Sequence, residues 1–275
     1  MRILETEYPA WIKNGIGREL LYPAYIPWHQ RFQFMVFFRS FQSFAVGLIL
    51  KEKFCSLILD LTKSNDKIFS ELNSTTRNEV HKGQKIGLEF DVSKDTKLLQ
   101  EKHQTMLDEK GIAENIALTY RTIGASLVVT TCSLQKEHLV FHGYTIDPLH
   151  KMAVLRVSAS SFRNLSQEKK KLIGIANRSL HYHDILFFKE QGMLIYDFGG
   201  YCEECQKGEQ KYGINSFKKG FGGEKVYYYT YWTIPMWLLF LFRDIRHKTK
   251  NFLLKHIALR KKSKLSQRAC FRQKK

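Results

Sequence analysis

A mixed α/β fold of the α+β kind is predicted by three observations. Apolar residues make up 44% of the 275-residue chain and aromatics 13%, which is the composition of a packed globular core. Short β-branched and aromatic runs recur at strand spacing along most of its length. Between them stand three segments with helical periodicity, spaced too irregularly for a strict βαβ alternation or an internal repeat.

The elements follow in order. Phe32–Phe38 and Ser43–Leu50, parted by the polar pair Arg39-Ser40, read as a hairpin, and Phe54–Leu61 as a central strand. After a turn over Thr62–Asp66, a helix begins at Lys67, with Ile68, Phe69, Leu72 and Val80 inward and Gly83 or Gly87 ending it. Leu88–Val92 is a short strand. Thr96–Lys110 is a helix with Leu98, Leu99, His103 and Met106 inward and Gly111 just beyond it.

Strands are expected at Ala117–Tyr120, Gly124–Cys132, His138–Thr145 and Val154–Ala159. Ser166 is a good N-cap for a helix over Gln167–Gln191 that stops at Gly192. Met193–Phe198 is a strand, Cys202–Lys211 a polar loop, and Val226–Trp232 a tyrosine-rich last strand. Pro235–Leu259 can form a basic amphipathic helix, with Trp237, Leu238, Leu241, Phe242, Ile245, Phe252 and Leu253 on its apolar side.

Net charge is +18 and unevenly spread. Arg243–Lys275 holds thirteen Lys or Arg against the single acid Asp244, a net +12, which leaves +6 for the first 242 residues. Such a tail is either a solvated segment or a device for anionic partners. Five cysteines in a chain of this length do not make a disulfide scaffold, and a reducing compartment fits them. Met1–Gly15 lacks the apolar run of a signal peptide, and Ile234–Phe242 falls far short of the roughly twenty residues of a spanning helix. A cytoplasmic protein, peripheral at the inner face of the membrane, is the expectation.

Three segments carry a family resemblance. Leu57-Ile58-Leu59-Asp60-Leu61 leads to Asn73-Ser74-Thr75-Thr76-Arg77-Asn78-Glu79-Val80-His81-Lys82-Gly83. Asn177-Arg178-Ser179-Leu180-His181-Tyr182-His183 precedes Gln191-Gly192-Met193-Leu194-Ile195-Tyr196-Asp197-Phe198-Gly199-Gly200. The third is Gly213-Ile214-Asn215-Ser216-Phe217-Lys218-Lys219-Gly220-Phe221-Gly222-Gly223. Together they resemble the FemABX peptidyltransferases and their acetyltransferase-like relatives over roughly Phe54–Tyr231.

The resemblance implies an acyl-CoA N-acyltransferase (GNAT-like) fold with one complete unit and a reduced N-terminal one. The units would be 1–105, reduced; 106–235, the acyltransferase unit; and 236–275, the tail. It implies transfer of an acyl or aminoacyl group to an amine or hydroxyl of a sugar- or peptide-containing envelope precursor. Acyl-CoA or aminoacyl-tRNA would be the donor, and no metal is required. The Q/R-x-x-G-x-G/A turn with which acetyl-CoA-dependent members hold a pyrophosphate is absent, which argues against ordinary acetyl-CoA use and fits relatives that take an aminoacyl-tRNA or bind an acyl carrier differently. The coiled-coil arm of some cell-wall members is absent too. A non-catalytic membrane-associated scaffold of the same fold is the rival from another class.

Lys218 carries over from the family's F-K motif, as an ammonium beside a developing oxyanion. Asp197, at a strand end before two glycines, can take a proton or orient an amine, or else hydrogen-bond the turn's own amides. Phe217, Tyr182, Arg178, His181, Arg77, Gly199 and Gly200 complete the substrate-binding set. Some have a plainer reading: Arg77 as part of a solvated helix face, and His181, like His183, as a half-buried histidine satisfied by hydrogen bonds. Cys202-x-x-Cys205 is the chain's only CxxC, and a structural zinc would need two further ligands. Residues 236–275 would meet an anionic membrane surface or tRNA.

Overall fold

The computed structural model describes residues 7–9, 18–21, 25–41, 43–44, 47, 49–112, 116, 120, 127–148, 150–160, 165–239 and 241–242. Ten strands form one sheet: β1 Glu7–Pro9, β2 Arg18–Leu21, β3 Met35–Ser40, β4 Ile49–Asp60, β5 Glu89–Ser93, β6 Leu127–Leu134, β7 Glu137–Asp147, β8 Met152–Ser160, β9 Ile195–Gly200 and β10 Glu224–Thr233. Their order is β1-β2-β3-β10-β4-β9-β8-β7-β6-β5. All neighbours are antiparallel except β2/β3 and β8/β9. The helices are α1 Asn65–Glu71, α2 Ser74–Lys85, α3 Lys97–Glu109, α4 Gln167–Glu190 and α5 Gln210–Lys219, with a 3₁₀ turn at Trp28–Phe32.

The sheet separates two layers. On one face, Tyr144, Tyr196, Phe198, Leu57, Leu59 and Leu61 bury against α1, α4 and Phe221, while Val140 and Cys132 bury against Ile173, Ala176 and Leu180 of α4. On the other, Phe141, Val157, Ala159, Leu127 and Val129 bury against Leu99 and Leu107 of α3. Alternation along β7 creates both contacts from Val140 onward, with Val140 and Tyr144 toward α4 and Phe141 and Gly143 toward α3, while Leu139, at a register shift, joins the α4 side. Apolar burial at about 25 cal/mol per Å² makes these the main source of stability.

Ser166 caps α4 as expected, its Oγ accepting from the Lys169 N–H. Several expectations are corrected. The segments around Phe32–Phe38 and Ser43–Leu50 do not form a hairpin: β10 lies between β3 and β4, paired with both. β4 starts at Ile49 and runs through the charged Lys51-Glu52-Lys53 stretch, because its partner β10 supplies the ladder there. The helix expected from Lys67 is two helices, since the Asn73 side chain accepts from the Thr76 N–H and starts α2 afresh. Of the strand expected at Ala117–Tyr120 only Tyr120 is described, and its N–H donates to the Ile116 carbonyl as in a helix. The glycine-containing segment around Lys218 is helical, as α5. At the chain's end, residues 234–239 and 241–242 are helical, and the rest of the basic tail lies outside the described residues.

Candidate functional site

The crossover through α4 brings β8 and β9 side by side in parallel, but only for three pairs: Met152 with Ile195, Ala153 with Tyr196, and Val154 with Asp197. Beyond them the strands part. β8 stays on β7, where the register shifts so that Tyr144 faces Leu155 while Gly143 faces Val157. The extra residue, Arg156, bends β8 away at the point where β9 leaves it. β9 stays on β4 as far as Gly200, opposite Ser56.

A cleft of ≈ 890 Å³ occupies the splay. Leu155, Ser158 and Ser160 of β8 form one wall and Phe198 of β9 another. Asn177 and His181 of α4, and Phe217 and Lys218 of α5, line the α4 side, and the end of α3 reaches it with Met106, Glu109 and Lys110. With Lys170 also present, the lining carries three cations against one carboxylate.

Lys218 sits in the last turn of α5 and is buried. Its Nζ donates to the carbonyl oxygens of Gly200, at 2.6 Å, and Gly199, at 3.1 Å. An ammonium has three donors, so one is left for the cleft that Lys218 lines. Burial pulls its pKa down to about 8, with Asp197 opposing and Arg39 adding to the fall.

The carbonyls that hold Lys218 depend on Asp197. Gly199 has φ +71, and a Cβ there would lie 3.2 Å from the Leu155 carbonyl oxygen, so only glycine suits this close turn. Its N–H donates to Asp197 Oδ1 at 2.6 Å. The same fully buried carboxylate accepts from Ser56 Oγ at 2.5 Å and from the Tyr228 hydroxyl at 2.9 Å.

Phe217 packs its ring 5.4 Å from that of His181 and 5.5 Å from that of Phe221. The Arg178 guanidinium lies 4.8 Å over the Phe217 ring and donates to Glu79 Oε2 of α2 at 2.7 Å, tying α2, α4 and α5 together. The structure thus brings Lys218, Phe217 and His181 to the cleft, with Gly199 and Gly200 behind Lys218 and Arg178 behind Phe217. Asp197 does not line the cleft. Tyr182, half-buried, packs on Phe69 at the edge of the core, and Arg77 donates to the Ser70 and Leu72 carbonyls at the end of α1. Cys202 and Cys205 are joined as a disulfide in the loop after β9. Among the described residues, no group of three or more His, Cys, Asp or Glu could hold a metal ion, and no helix is long and apolar enough to cross a membrane.

Sequence reasoning missed a buried polar cluster behind His181. His142 and Tyr144 of β7, Asp184 of α4 and Tyr196 of β9 are all fully buried. Its signal was present: His181 and Asp184 are three apart on the face of α4 that also carries Ile173, Ala176 and Leu180, so both had to be buried.

This sheet, with its helices on both faces, is the mixed α/β, GNAT-like fold expected from the sequence. FemX shares it, with a TM-score of 0.54 and 14% identity over 68% of this chain and 63% of that one. L-PGS from Bacillus licheniformis shares it with a TM-score of 0.50 and 12% identity over 82% and 80%. The chain therefore spans less than two thirds of FemX, and both are likenesses of fold. No protein-family profile and no curated protein sequence matches the chain.

Proposed function

We propose that the chain is an acyltransferase that moves an acyl or aminoacyl group from an ester or thioester donor to an amine or hydroxyl of a sugar- or peptide-containing envelope precursor. The observation that carries this reading is the Lys218 ammonium, buried and fixed by two carbonyls, with its remaining donor available to the cleft. A preorganised charge of this kind matches the negative charge that grows on a carbonyl oxygen under nucleophilic attack, and needs no rearrangement when it appears.

In this reading Lys218 faces the oxyanion and Phe217 packs beside it. Asp197 acts as a positioning group: it fixes the Gly199 turn and so the carbonyls that aim Lys218. The cationic lining formed by Lys110, Lys170 and Lys218 suits a polyanionic donor, acyl-CoA or aminoacyl-tRNA. The fold shared with FemX and L-PGS supports the aminoacyl alternative as a class. The helical residues near the end expose Trp237, Leu238, Leu241 and, at 68%, Phe242, a suitable contact for a membrane surface next to a basic tail.

The test is transfer of label from [14C]acetyl-CoA or [14C]alanyl-tRNA to amines, with wild type compared to Lys218→Met. Loss of one donor's transfer in the variant supports the reading and identifies the donor. A wild-type protein that transfers from neither favours the scaffold.

A further inference from the structure

We propose that His181 is the general base of this cleft, its Nε2 taking the proton of the attacking group while the buried Asp184 fixes its tautomer through Tyr144 and Tyr196. The inference rests on the acyl-transfer reading for its chemistry, but the hydrogen-bond chain stands on geometry alone.

The chain has one possible direction. The Asp184 carboxylate only accepts. Its Oδ2 receives the His142 Nδ1–H at 2.8 Å and the Tyr144 hydroxyl at 2.5 Å. Tyr144 has spent its single proton, so at 2.7 Å its oxygen accepts from the Tyr196 hydroxyl. Tyr196 has then spent its own, so at 2.7 Å its oxygen accepts from His181 Nδ1–H. The hydrogen of a neutral His181 therefore sits on Nδ1, and Nε2 carries a lone pair. That nitrogen has no hydrogen-bond partner among the described residues, and His181 lines the cleft beside Lys218.

The phenols remain protonated: burial, then Asp184, push Tyr144 and Tyr196 well above the ordinary value. Burial raises the Asp184 carboxyl, but its hydrogen bonds, that of His142 foremost, outweigh this and hold it below the ordinary carboxylate value. Around His181 stand Arg178 and Asp184 of its own helix, His142 and Tyr144 of β7, Tyr196 of β9 and Lys218 of α5. Burial, then His142, Lys218 and Arg178, keep its pKa well below the ordinary value. His181 is consequently neutral at neutral pH, which is the form the tautomer argument requires.

The step balances. The lone pair of the amine or hydroxyl forms the new bond to the acyl carbon, and the C=O π pair moves onto oxygen, facing Lys218. The N–H or O–H proton goes to His181 Nε2. On collapse the C=O re-forms, the bond to the donor's ester oxygen or thioester sulfur breaks, and the imidazolium returns its proton to that atom. The products are an amide or ester and the free alcohol or thiol.

The first arm of the test is tautomer NMR on the full chain labelled with [15N]histidine, with His181 signals assigned by their loss in His181→Gln. The expected result at pH 7 is a neutral ring protonated on Nδ1, shifting to a tautomer mixture in Tyr196→Phe. A ring protonated on Nε2, an imidazolium, or no response to Tyr196→Phe overturns the proposal. The second arm follows alanine p-nitrophenyl ester as donor with ethanolamine as acceptor. His181→Gln is expected to lower turnover about 100-fold or more. If Lys218→Met lowers turnover and His181→Gln does not, the base is overturned while acyl transfer stands. If neither variant changes it, both fall.

Discussion

The Nζ of Lys218 lies 2.6 Å from the carbonyl oxygen of Gly200, three residues beyond the carboxylate that fixes the same turn. The charge proposed to meet the oxyanion is therefore aimed by backbone, and the backbone is aimed by Asp197. This arrangement makes function and stability respond differently to each substitution.

Lys218 couples both to pH. Its pKa of about 8 lies below the ordinary 10.5 that the unfolded chain would show. Between these values the unfolded chain holds a proton the folded one has released, so folding stability gains as pH rises through the window. Urea unfolding at pH 7.5 and 10 should show the stability of wild type relative to Lys218→Met rising by ~2–3 kcal/mol, since the raised thiol and phenol pKa values act alike in both proteins. Turnover should do the opposite and fall above about pH 8, as the ammonium is lost.

Asp197→Ala removes the acceptor of Ser56, Tyr228 and the Gly199 N–H at once. Leaving buried donors unpaired costs about 1–3 kcal/mol each, so a loss of ~3 kcal/mol or more is expected in denaturant titration. Asp197→Asn retains part of the network and should be milder, with kcat reduced because Lys218 is less well held.

Gly223, just before β10, has φ +88, and a Cβ there would overlap the Ile58 carbonyl oxygen of β4. The neighbour is backbone and cannot yield cheaply. Gly223→Ala should destabilise by about 3 kcal/mol, read as a lowered midpoint with an unchanged m-value.

Arg178 and Glu79 are partly exposed and 2.7 Å apart. A double-mutant cycle with Arg178→Met and Glu79→Gln should give a coupling of about 1 kcal/mol. Arg178→Met alone should cost more than the cycle term, because its guanidinium also covers Phe217.

Much of this was legible in the chain. The alternation of β7, the Ser166 cap of α4 and the Gly192 stop each act over a few residues, and they placed the elements around the cleft. Phe217, Lys218 and His181 were singled out from sequence and line the cleft together. Periodicity reveals a face without its partner, so the insertion of β10 between β3 and β4 was invisible, as was the arrival of α3 at the cleft. No helix was expected over the Lys218 segment, yet Gly213 lies within α5 and Gly220 follows its last turn. The Asp184 chain spans β7, α4 and β9, and no local signal pairs residues 40 and 52 apart.

The most direct measurement is single-turnover transfer of [14C]alanine from alanyl-tRNA, or of [14C]acetyl from acetyl-CoA, to a sugar–peptide bearing a free amine, in wild type and Lys218→Met. Transfer from one donor, slowed 10²–10³-fold in the variant while that donor still binds, is the expected result. Equal rates in the two proteins, or no transfer from either donor, would contradict the assignment of the β8–β9 cleft as an acyl-transfer site.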